Sequence, residues 1–276
     1  MDRIKRIFGK NNSILIGAIH FPPLLGYPEF PGFKAAEGRA LYDLEAFERG
    51  GIDSVIFENN YDLPHTAIVG REIAAAMTYL GEKIVQQSSV PVGVDVLWND
   101  FECALAIAKT LGLGFVRVPV FVDTVKTDFG VIRGEPSKVI ATRKKISAES
   151  VAIMADIHVK HSKLLSKYSL VQSARLAIKK GADALIVTGK WTGDAPDFQA
   201  LKSLRNAVGD FPIFAGSGAD EKNIKEILQF ANGVIVSTSL KSGIDRKGEH
   251  NVKAYNQKID RKKVESFVGA AEHLLK

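Results

Sequence analysis

Ionisable side chains recur directly after short runs of apolar residues along this chain. Carboxylates, imidazoles and amines transfer protons in active sites, and a guanidinium stabilises negative charge that develops there. If the apolar runs are parallel strands whose ends meet, these groups converge and predict general acid-base catalysis. The candidate catalytic residues are His20, Glu58, Asp95, Arg117, Asp156, His158 and Lys160.

The spacing of these residues favours a shared location. Side chains alternate between the two faces of a strand, so Ile16, Ala18 and His20 lie on one face. His158 and Lys160 continue the alternation that begins with Asp156. The same step of two residues joins an apolar position or glycine to a polar one in further runs, from Ile56 to Glu58, Gly93 to Asp95, Phe115 to Arg117, Met154 to Asp156 and Ile186 to Thr188.

Three carboxylates in one barrel mouth need to be neutralised, because burying unpaired charge is costly. We expect Glu58, Asp95 and Asp156 to be balanced by Arg117, Lys160, a protonated histidine or a divalent cation such as Mg²⁺. The spacing matches no recognised metal motif, so no metal ligands are assigned. No cofactor is predicted with certainty.

Two lysines are candidates for covalent chemistry, since a desolvated amine can lose its proton and attack a carbonyl. Lys160 has the alternative of pairing with a carboxylate or binding an anionic substrate. Lys190, next to Trp191, has the alternative of extending to solvent. We favour the non-covalent alternative for both.

Glycines and hydroxyls follow the last two apolar runs. Gly216, Ser217 and Gly218 come after the seventh run, and Ser237 and Thr238 come after the eighth. Glycine lets the backbone approach a ligand closely, and exposed N–H groups with hydroxyls bind phosphate oxygens. Barrels often bind phosphate after their seventh and eighth strands. Tight turns would explain the glycines alone, but the hydroxyls on both loops favour a phosphate site.

The apolar runs are short and almost continuous, which is typical of parallel strands covered on both faces. Segments with helical spacing lie between them, with Asp100, Ser169 and Asp260 as candidate N-caps. Gly112 and Gly181 are candidate helix ends. The runs cover residues 14–19, 53–57, 90–96, 115–120, 151–157, 183–187, 212–215 and 233–236.

This repeated alternation predicts an α/β protein with a single (β/α)8 barrel domain over residues 1–276. A doubly wound open sheet is the alternative, but no Gly-x-Gly-x-x-Gly follows the first run. The longest irregular stretches, 21–34, 121–135 and 241–259, all follow a predicted strand. We therefore expect them to form loops at the catalytic rim.

The composition, 46% hydrophobic and 25% charged, is that of an ordinary globular protein. The net charge of +6 favours an anionic ligand or keeps the chain in solution, and it identifies no partner. The basic runs 143–145 and 261–263 are interpreted as solvated helix ends, so no nucleic-acid partner is predicted. The single Cys103 and the lack of a signal peptide or membrane span predict a cytoplasmic protein. A homo-oligomer is expected because barrels commonly associate.

Seven motifs in this order resemble the BtpA/SgcQ family of barrel proteins. They are IGAIHFPPL at 16–24, FENNYD at 57–62, DVLWND at 95–100, TDFG at 127–130, ADIHVKH at 155–161, VTGKWTG at 187–193 and GSG at 216–218. On this resemblance Asn59, Asn99, Asp128 and Thr188 are expected to contact the substrate, and Gly189 is expected to contact its phosphate. Trp98 and Phe129 stand where the family commonly has Arg and Gln, and Ser237 where it has Gly.

The resemblance implies a barrel similar to the ribulose-phosphate-binding group, but no single reaction. One hypothesis is a cytoplasmic enzyme that acts on a phosphorylated sugar or nucleoside-like metabolite by acid-base chemistry at the C-terminal rim. Isomerisation, epimerisation, carbon-carbon cleavage and hydrolysis all need similar groups. The alternative is a non-catalytic assembly or stability factor for a larger complex such as photosystem I. Ionisable groups gathered at strand ends favour the enzyme, because unpaired ones would only lower stability.

Overall fold

The computed structural model describes residues 2–189, 194–243 and 257–272. Eight parallel strands close into a barrel in the order β1-β2-β3-β4-β7-β9-β10-β11 and back to β1, which confirms the predicted barrel and excludes the open sheet. Each of the eight apolar runs forms a strand. Numbered along the chain, these are β1 (Ile14–His20), β2 (Ser54–Glu58), β3 (Val92–Asp95), β4 (Phe115–Val118), β7 (Ala152–Ile157), β9 (Ala184–Val187), β10 (Ile213–Ala215) and β11 (Gly233–Val236).

Helices lie between consecutive barrel strands and cover the outside of the sheet. The predicted N-caps are observed: the Asp100 carboxylate accepts from the Cys103 amide at 2.9 Å, and Ser169 forms a capping box with Gln172. Gly112 ends its helix at a φ of 69°. The helices are α2 (Phe33–Arg49), α3 (Arg71–Gln87), α4 (Phe101–Leu111), α5 (Pro136–Lys145), α6 (Leu170–Lys179), α7 (Phe198–Val208), α8 (Ile224–Leu228) and α9 (Arg261–Glu272).

The strand register places ionisable residues of neighbouring strands side by side at the carboxyl end of the barrel. His20 pairs with Glu58 across β1 and β2, and Glu58 pairs with Asp95 across β2 and β3. Below these residues the barrel is filled by apolar side chains. Gly93 is required there, because a Cβ at this position would lie 2.3 Å from the Phe115 ring. The interior cluster comprises Ile14, Ile16, Ala18, Ile56, Phe115, Ala152, Met154, Ala184, Ile186, Phe214 and Ile235 together with Ile4.

A short helix, α1 (Asp2–Phe8), closes the opposite end of the barrel. No helix is predicted for this segment from its sequence. Ile4 is 1% exposed and belongs to the interior cluster, and the Phe8 ring lies 5.4 Å from the ring of Phe115. The helix therefore covers apolar residues that the bottom of the barrel would expose to water.

The expectation of an irregular stretch over 121–135 is wrong. This stretch contains the hairpin of β5 (Thr124–Thr127) and β6 (Gly130–Arg133), to which β8 (Lys163–Leu164) adds a third antiparallel strand. The turn at 127–130 uses Gly130 at a φ of 115°. In the stretch 21–34, α2 begins at Phe33. In 241–259, Lys241 and Ile259 form a β-bridge, and residues 244–256 lie outside the described part.

The interpretation of 143–145 as a solvated helix end is wrong for Arg143. Its guanidinium is buried and contacts the Asp183 carboxylate at 2.7 Å. Cys103 is half-buried, and burial raises the pKa of its thiol to about 12, so it is not a reactive nucleophile. Among the helices described, none is long and apolar enough to cross a membrane.

The packing of α1 yields a stability prediction. Ile4→Ala removes a side chain from the interior cluster and is expected to lower the free energy of unfolding by about 2–4 kcal/mol. Lys5→Ala, at an exposed position of the same helix, is the control and should change it by less than about 0.5 kcal/mol. Urea unfolding measures both. Equal effects would contradict the assignment of α1 as the closure of the barrel.

Candidate active site

The candidate site centres on Arg117, which projects from the end of β4. Its Nε and Nη2 donate to the two Asp156 oxygens at 2.9 and 2.8 Å, and its Nη1 donates to Glu58 Oε1 at 3.3 Å. Asp95 Oδ2 lies 3.6 Å from Nε. Side chains from β2, β3, β4 and β7 therefore meet, and Arg117 supplies the positive charge that three adjacent carboxylates require.

Asp95 has the least usual environment in this group. It is fully buried, and neither of its carboxyl oxygens has a hydrogen-bond partner among the described residues. Burial raises the pKa of Asp95 well above its usual value, Arg117 opposes this, and the charges of Glu58 and Asp156 raise it further. Asp95 therefore binds a proton more readily than an ordinary aspartate.

His20 extends the cluster toward β1. Its Nε2 lies 3.6 Å from Glu58 Oε2, while its Nδ1 lies 3.3 Å from Lys241 Nζ. An ammonium has only protons to offer, so Nδ1 accepts and the single proton of a neutral imidazole resides on Nε2. Burial, followed by the charge of Lys241, lowers the pKa of His20 well below its usual value. His20 is therefore neutral and presents an N–H to Glu58.

Lys241 and Tyr61 are site residues that the sequence analysis missed. Lys241 is 2% exposed, and its Nζ donates to the Tyr61 hydroxyl at 2.9 Å. Tyr61 lies within the FENNYD motif. Lys241 follows the last barrel strand at a distance where alternation along β11 no longer predicts the direction of a side chain. Only its proximity in sequence to Ser237 and Thr238 could have suggested it.

Lys160 is half-buried and follows β7. Its backbone N–H donates to Thr188 Oγ1 at 2.9 Å, which joins it to the end of β9. Burial, followed by the charge of Arg117, lowers the pKa of Lys160 to about 8, although the three carboxylates oppose this. The amine makes no ion pair with any described residue. It is therefore an amine that can gain or lose a proton near neutral pH.

His158 does not join the cluster, although alternation from Asp156 predicts it. The strand ends at Ile157, and His158 has a φ of 52°, which ends the alternation. Its Nε2 lies 3.3 Å from the Ser173 hydroxyl, which donates to Asp123 at 2.6 Å. Ser173 is fully buried, so this arrangement connects α6 to the loop after β4 and offers no exposed nucleophile.

Asn59 and Asn99, which are predicted to contact substrate, connect neighbouring rim loops in the structure. The Asn59 amide accepts from the Leu97 N–H at 2.7 Å and donates to the Leu97 carbonyl at 3.1 Å. The Asn99 amide makes the same pair of contacts with the backbone of Val120, at 2.8 and 3.2 Å. Each side-chain amide pairs with the backbone that follows the next strand, as a peptide group of a longer strand would. We call these two residues the asparagine latches.

The predicted phosphate residues lie together after β9, β10 and β11. Ser217 Oγ accepts from the Gly189 N–H at 2.9 Å and donates to the Asp194 carbonyl at 2.8 Å, so its hydroxyl is already used. A Cβ at Gly216 would lie 3.7 Å from Arg117 Nη2, which places this loop beside the cluster. Gly218 has a φ of 65° and packs against the backbone of residues 194–195.

Ser237 differs from Ser217, because its buried hydroxyl has no hydrogen-bond partner among the residues that the structure describes. The backbone N–H groups of Ser217, Gly218 and Thr238 also make no backbone hydrogen bond in the described segments. Asp128 lies exposed at the β5–β6 turn, and Thr188 is buried against Lys160. Lys190 lies outside the described residues.

The described residues contain no group of three or more His, Cys, Asp or Glu side chains arranged to hold a metal ion. Arg117 occupies the centre of the carboxylates where a cation such as Mg²⁺ would have to bind. The donors near the cluster therefore do not fit a metal site.

A model of the BtpA family matches residues 11–273. The chain belongs to the BtpA family. It is 37% identical over 270 residues to the photosystem I biogenesis protein BtpA of Synechocystis, covering 97% of this chain and 91% of the relative. This agrees with the resemblance inferred from the seven motifs.

Two solved structures show the same fold. N-(5'-phosphoribosyl)anthranilate isomerase from Pyrococcus furiosus has a TM-score of 0.56 at 16% identity, covering 95% of this chain and 99% of that one. Orotidine 5'-phosphate decarboxylase from Pyrococcus horikoshii has a TM-score of 0.57 at 12% identity, covering 94% and 99%. At these identities the similarity concerns the barrel alone.

The contact between Lys241 and His20 yields a prediction about the imidazole. Lys241→Met removes the ammonium, so the pKa of His20 should rise and the proton should redistribute between Nδ1 and Nε2. Long-range ¹H–¹⁵N NMR spectra recorded against pH report both quantities. Lys163→Met, on the exposed face of β8, is the control. An unchanged tautomer and pKa in Lys241→Met would show that Lys241 does not determine the state of His20.

Proposed function

We propose that this protein is a cytoplasmic enzyme that transforms a phosphorylated sugar or nucleoside-like metabolite by acid-base chemistry at the C-terminal rim of the barrel. The observation that carries the proposal is the buried cluster of Arg117 and three carboxylates beside the half-buried Lys160 amine. Buried charges often lower stability, so a buried charge cluster calls for a role other than stability. Groups with shifted pKa values at a barrel mouth are typical of catalytic sites.

Arg117 is suited to stabilise negative charge on a substrate oxygen. Three of its N–H groups bind Asp156 and Glu58, and its other N–H groups have no partner within the described residues. Because the carboxylates fix the guanidinium, it needs no reorganisation when charge develops on a substrate.

Lys160 is the best candidate for the group that exchanges a proton with the substrate. Both oxygens of Asp156 already accept from Arg117, so Asp156 is not an available base. The neutral Lys160 amine removes a proton next to a carbonyl, the electron pair moves onto the carbonyl oxygen, and Arg117 stabilises the resulting enolate. Return of the proton to another carbon gives isomerisation, and its return to the opposite face of the same carbon gives epimerisation. Carbon-carbon cleavage or hydrolysis would use the same groups.

The loops after β10 (residues 216–218) and β11 (residues 237–239), which we call the hydroxyl loops, support a phosphate anchor. Ser237 offers a buried hydroxyl without a partner, and the neighbouring N–H groups of Gly218 and Thr238 make no backbone hydrogen bond in the described segments. The names of the two structural neighbours refer to a 5'-phosphoribosyl compound and a 5'-phosphate. Such a substrate would place its phosphate at these loops and its reacting carbons near Arg117 and Lys160.

An assembly or stability factor for a larger complex remains the second candidate, and the printed name of the Synechocystis relative favours it. The two functions differ in what they require of the rim. If this chain restores photosystem I in a Synechocystis strain that lacks its relative, and Lys160→Met restores it equally, the assembly role is independent of the proposed chemistry.

A thermal-shift screen tests the phosphate anchor. Ribose 5-phosphate and related phosphate esters should raise the melting temperature, because a ligand that binds only the folded state stabilises it. Ser237→Ala should weaken ligand affinity about tenfold and so reduce the shift in melting temperature. It should not lower the melting temperature of the free protein, because the lost hydroxyl has no hydrogen-bond partner among the described residues. Ser239→Ala is the control, because that hydroxyl donates to the Ala219 carbonyl. A screen without any shift would favour the assembly factor.

The protonation of Lys160 can be tested without a substrate. Competitive labelling with acetic anhydride at several pH values should show Lys160 reacting with a midpoint near its pKa of about 8, because only the neutral amine is acylated. Labelling should fall when ribose 5-phosphate is bound. Lys126, exposed on β5, is the reference within the same molecule. If Lys160 and Lys126 show the same pH profile, Lys160 is not the proposed base.

A further inference from the structure

Aromatic side chains form a second group at the mouth, on the side of the barrel opposite the hydroxyl loops. His65 follows β2, Trp98 follows β3, Phe129 lies in the β5–β6 turn and His161 follows β7. The hydroxyl loops follow β10 and β11, which lie in the other half of the ring of strands. We call these four residues the aromatic wall.

Two contacts connect members of the aromatic wall with each other and with the neighbouring loop. The rings of His65 and Phe129 meet edge to face, with centroids 5.4 Å apart and an interplanar angle of 84°. The backbone N–H of Trp98 donates to the Thr66 carbonyl at 3.0 Å, and this bond connects the loops after β2 and β3. Four buried apolar residues share a cluster with Trp98 and Phe129 of the wall: Val120, Val125, Ile132 and Val159.

The wall carries no charge at neutral pH, unlike the cluster around Arg117. Burial, followed by the charge of His161, lowers the pKa of His65 to about 4. Burial, followed by the charge of Lys160, lowers the pKa of His161 to about 4. Two neutral imidazoles and a phenyl ring suit contact with an apolar planar surface. The effect of Lys160 on His161 also shows that the wall adjoins the proposed base.

One polar atom of the wall has an unmet requirement. His65 is 8% exposed, and its Nδ1 is buried without a hydrogen-bond partner among the described residues. A buried polar atom without a partner lowers stability, and such atoms in folded proteins call for an explanation. Phe129 and His161 beside it are only half-buried, so the wall has an exposed edge next to this atom. A polar atom on the edge of a ligand ring would satisfy Nδ1.

We propose that the aromatic wall binds a planar heteroaromatic ring, so that the substrate is a phosphate ester with such a ring at the end remote from its phosphate. This inference rests on the proposed function and narrows its substrate class. The ring packs against Phe129 and His161, and a polar atom on its edge pairs with His65 Nδ1. The phosphate lies at the hydroxyl loops, and the reacting carbons between the two ends lie above Arg117 and beside Lys160.

Calorimetric titrations separate the two ends of the ligand. Ribose 5-phosphate supplies a phosphate without a ring, phenyl phosphate adds a ring without polar edge atoms, and uridine and adenosine 5'-monophosphates add a heteroaromatic ring. At least one 5'-monophosphate should bind about tenfold tighter than ribose 5-phosphate, which is the gain expected from stacking one base.

Two variants locate the binding. Phe129→Leu should reduce the advantage of the 5'-monophosphate at least about threefold and leave ribose 5-phosphate unaffected. His65→Phe retains a ring but removes Nδ1, so it should weaken the 5'-monophosphate and spare phenyl phosphate. Val131→Ala is the control, because Val131 lies on the same hairpin and is 54% exposed.

The outcomes distinguish this inference from the proposed function. If ribose 5-phosphate binds and no aromatic phosphate binds tighter, the aromatic wall is not a binding site, while the phosphate anchor stands. If the 5'-monophosphates bind tighter but Phe129→Leu leaves that advantage unchanged, the ring binds elsewhere and the inference is wrong. If none of the phosphates binds, both proposals fail.

Discussion

The mouth of this barrel depends on the ionic contacts of Arg117. The guanidinium extends from β4 and contacts carboxylates on β2, β3 and β7, so half of the barrel strands share one buried charge arrangement. Carboxylates at adjacent register positions would repel one another in an environment without water, and only a fixed cation among them allows the strands to close. The bidentate contact with Asp156 provides that cation in one orientation.

The surrounding groups adjust their protonation to this arrangement. Burial raises the pKa of Asp95 well above its usual value, keeps His20 neutral and brings the pKa of Lys160 to about 8. The mouth combines a fixed cation with an amine that can change its charge near neutral pH. Ionisable groups with shifted pKa values in one place are typical of sites that transfer protons.

The sequence was sufficient to predict the barrel and most of the cluster. Continuous apolar runs determined all eight strands, and alternation along them placed His20, Glu58, Asp95, Arg117 and Asp156 on one side. Alternation fails where a strand ends, so His158 was misplaced, and Lys241 was missed. Asn59 and Asn99 are polar residues at a rim whose structural role depends on the backbone of the next loop. The β5–β6 hairpin was missed because its short strands carry no long apolar run.

The asparagine latches have a consequence for how this protein can change over time. Each one substitutes a side-chain amide for a peptide partner just beyond the last strand pair, at Leu97 and at Val120. The rim geometry is thereby fixed before the connecting segments diverge. Insertions and deletions farther out need not displace the ionic cluster around Arg117. Related chains can thus acquire new specificities by loop exchange, and an engineer can graft foreign loops beyond the latches.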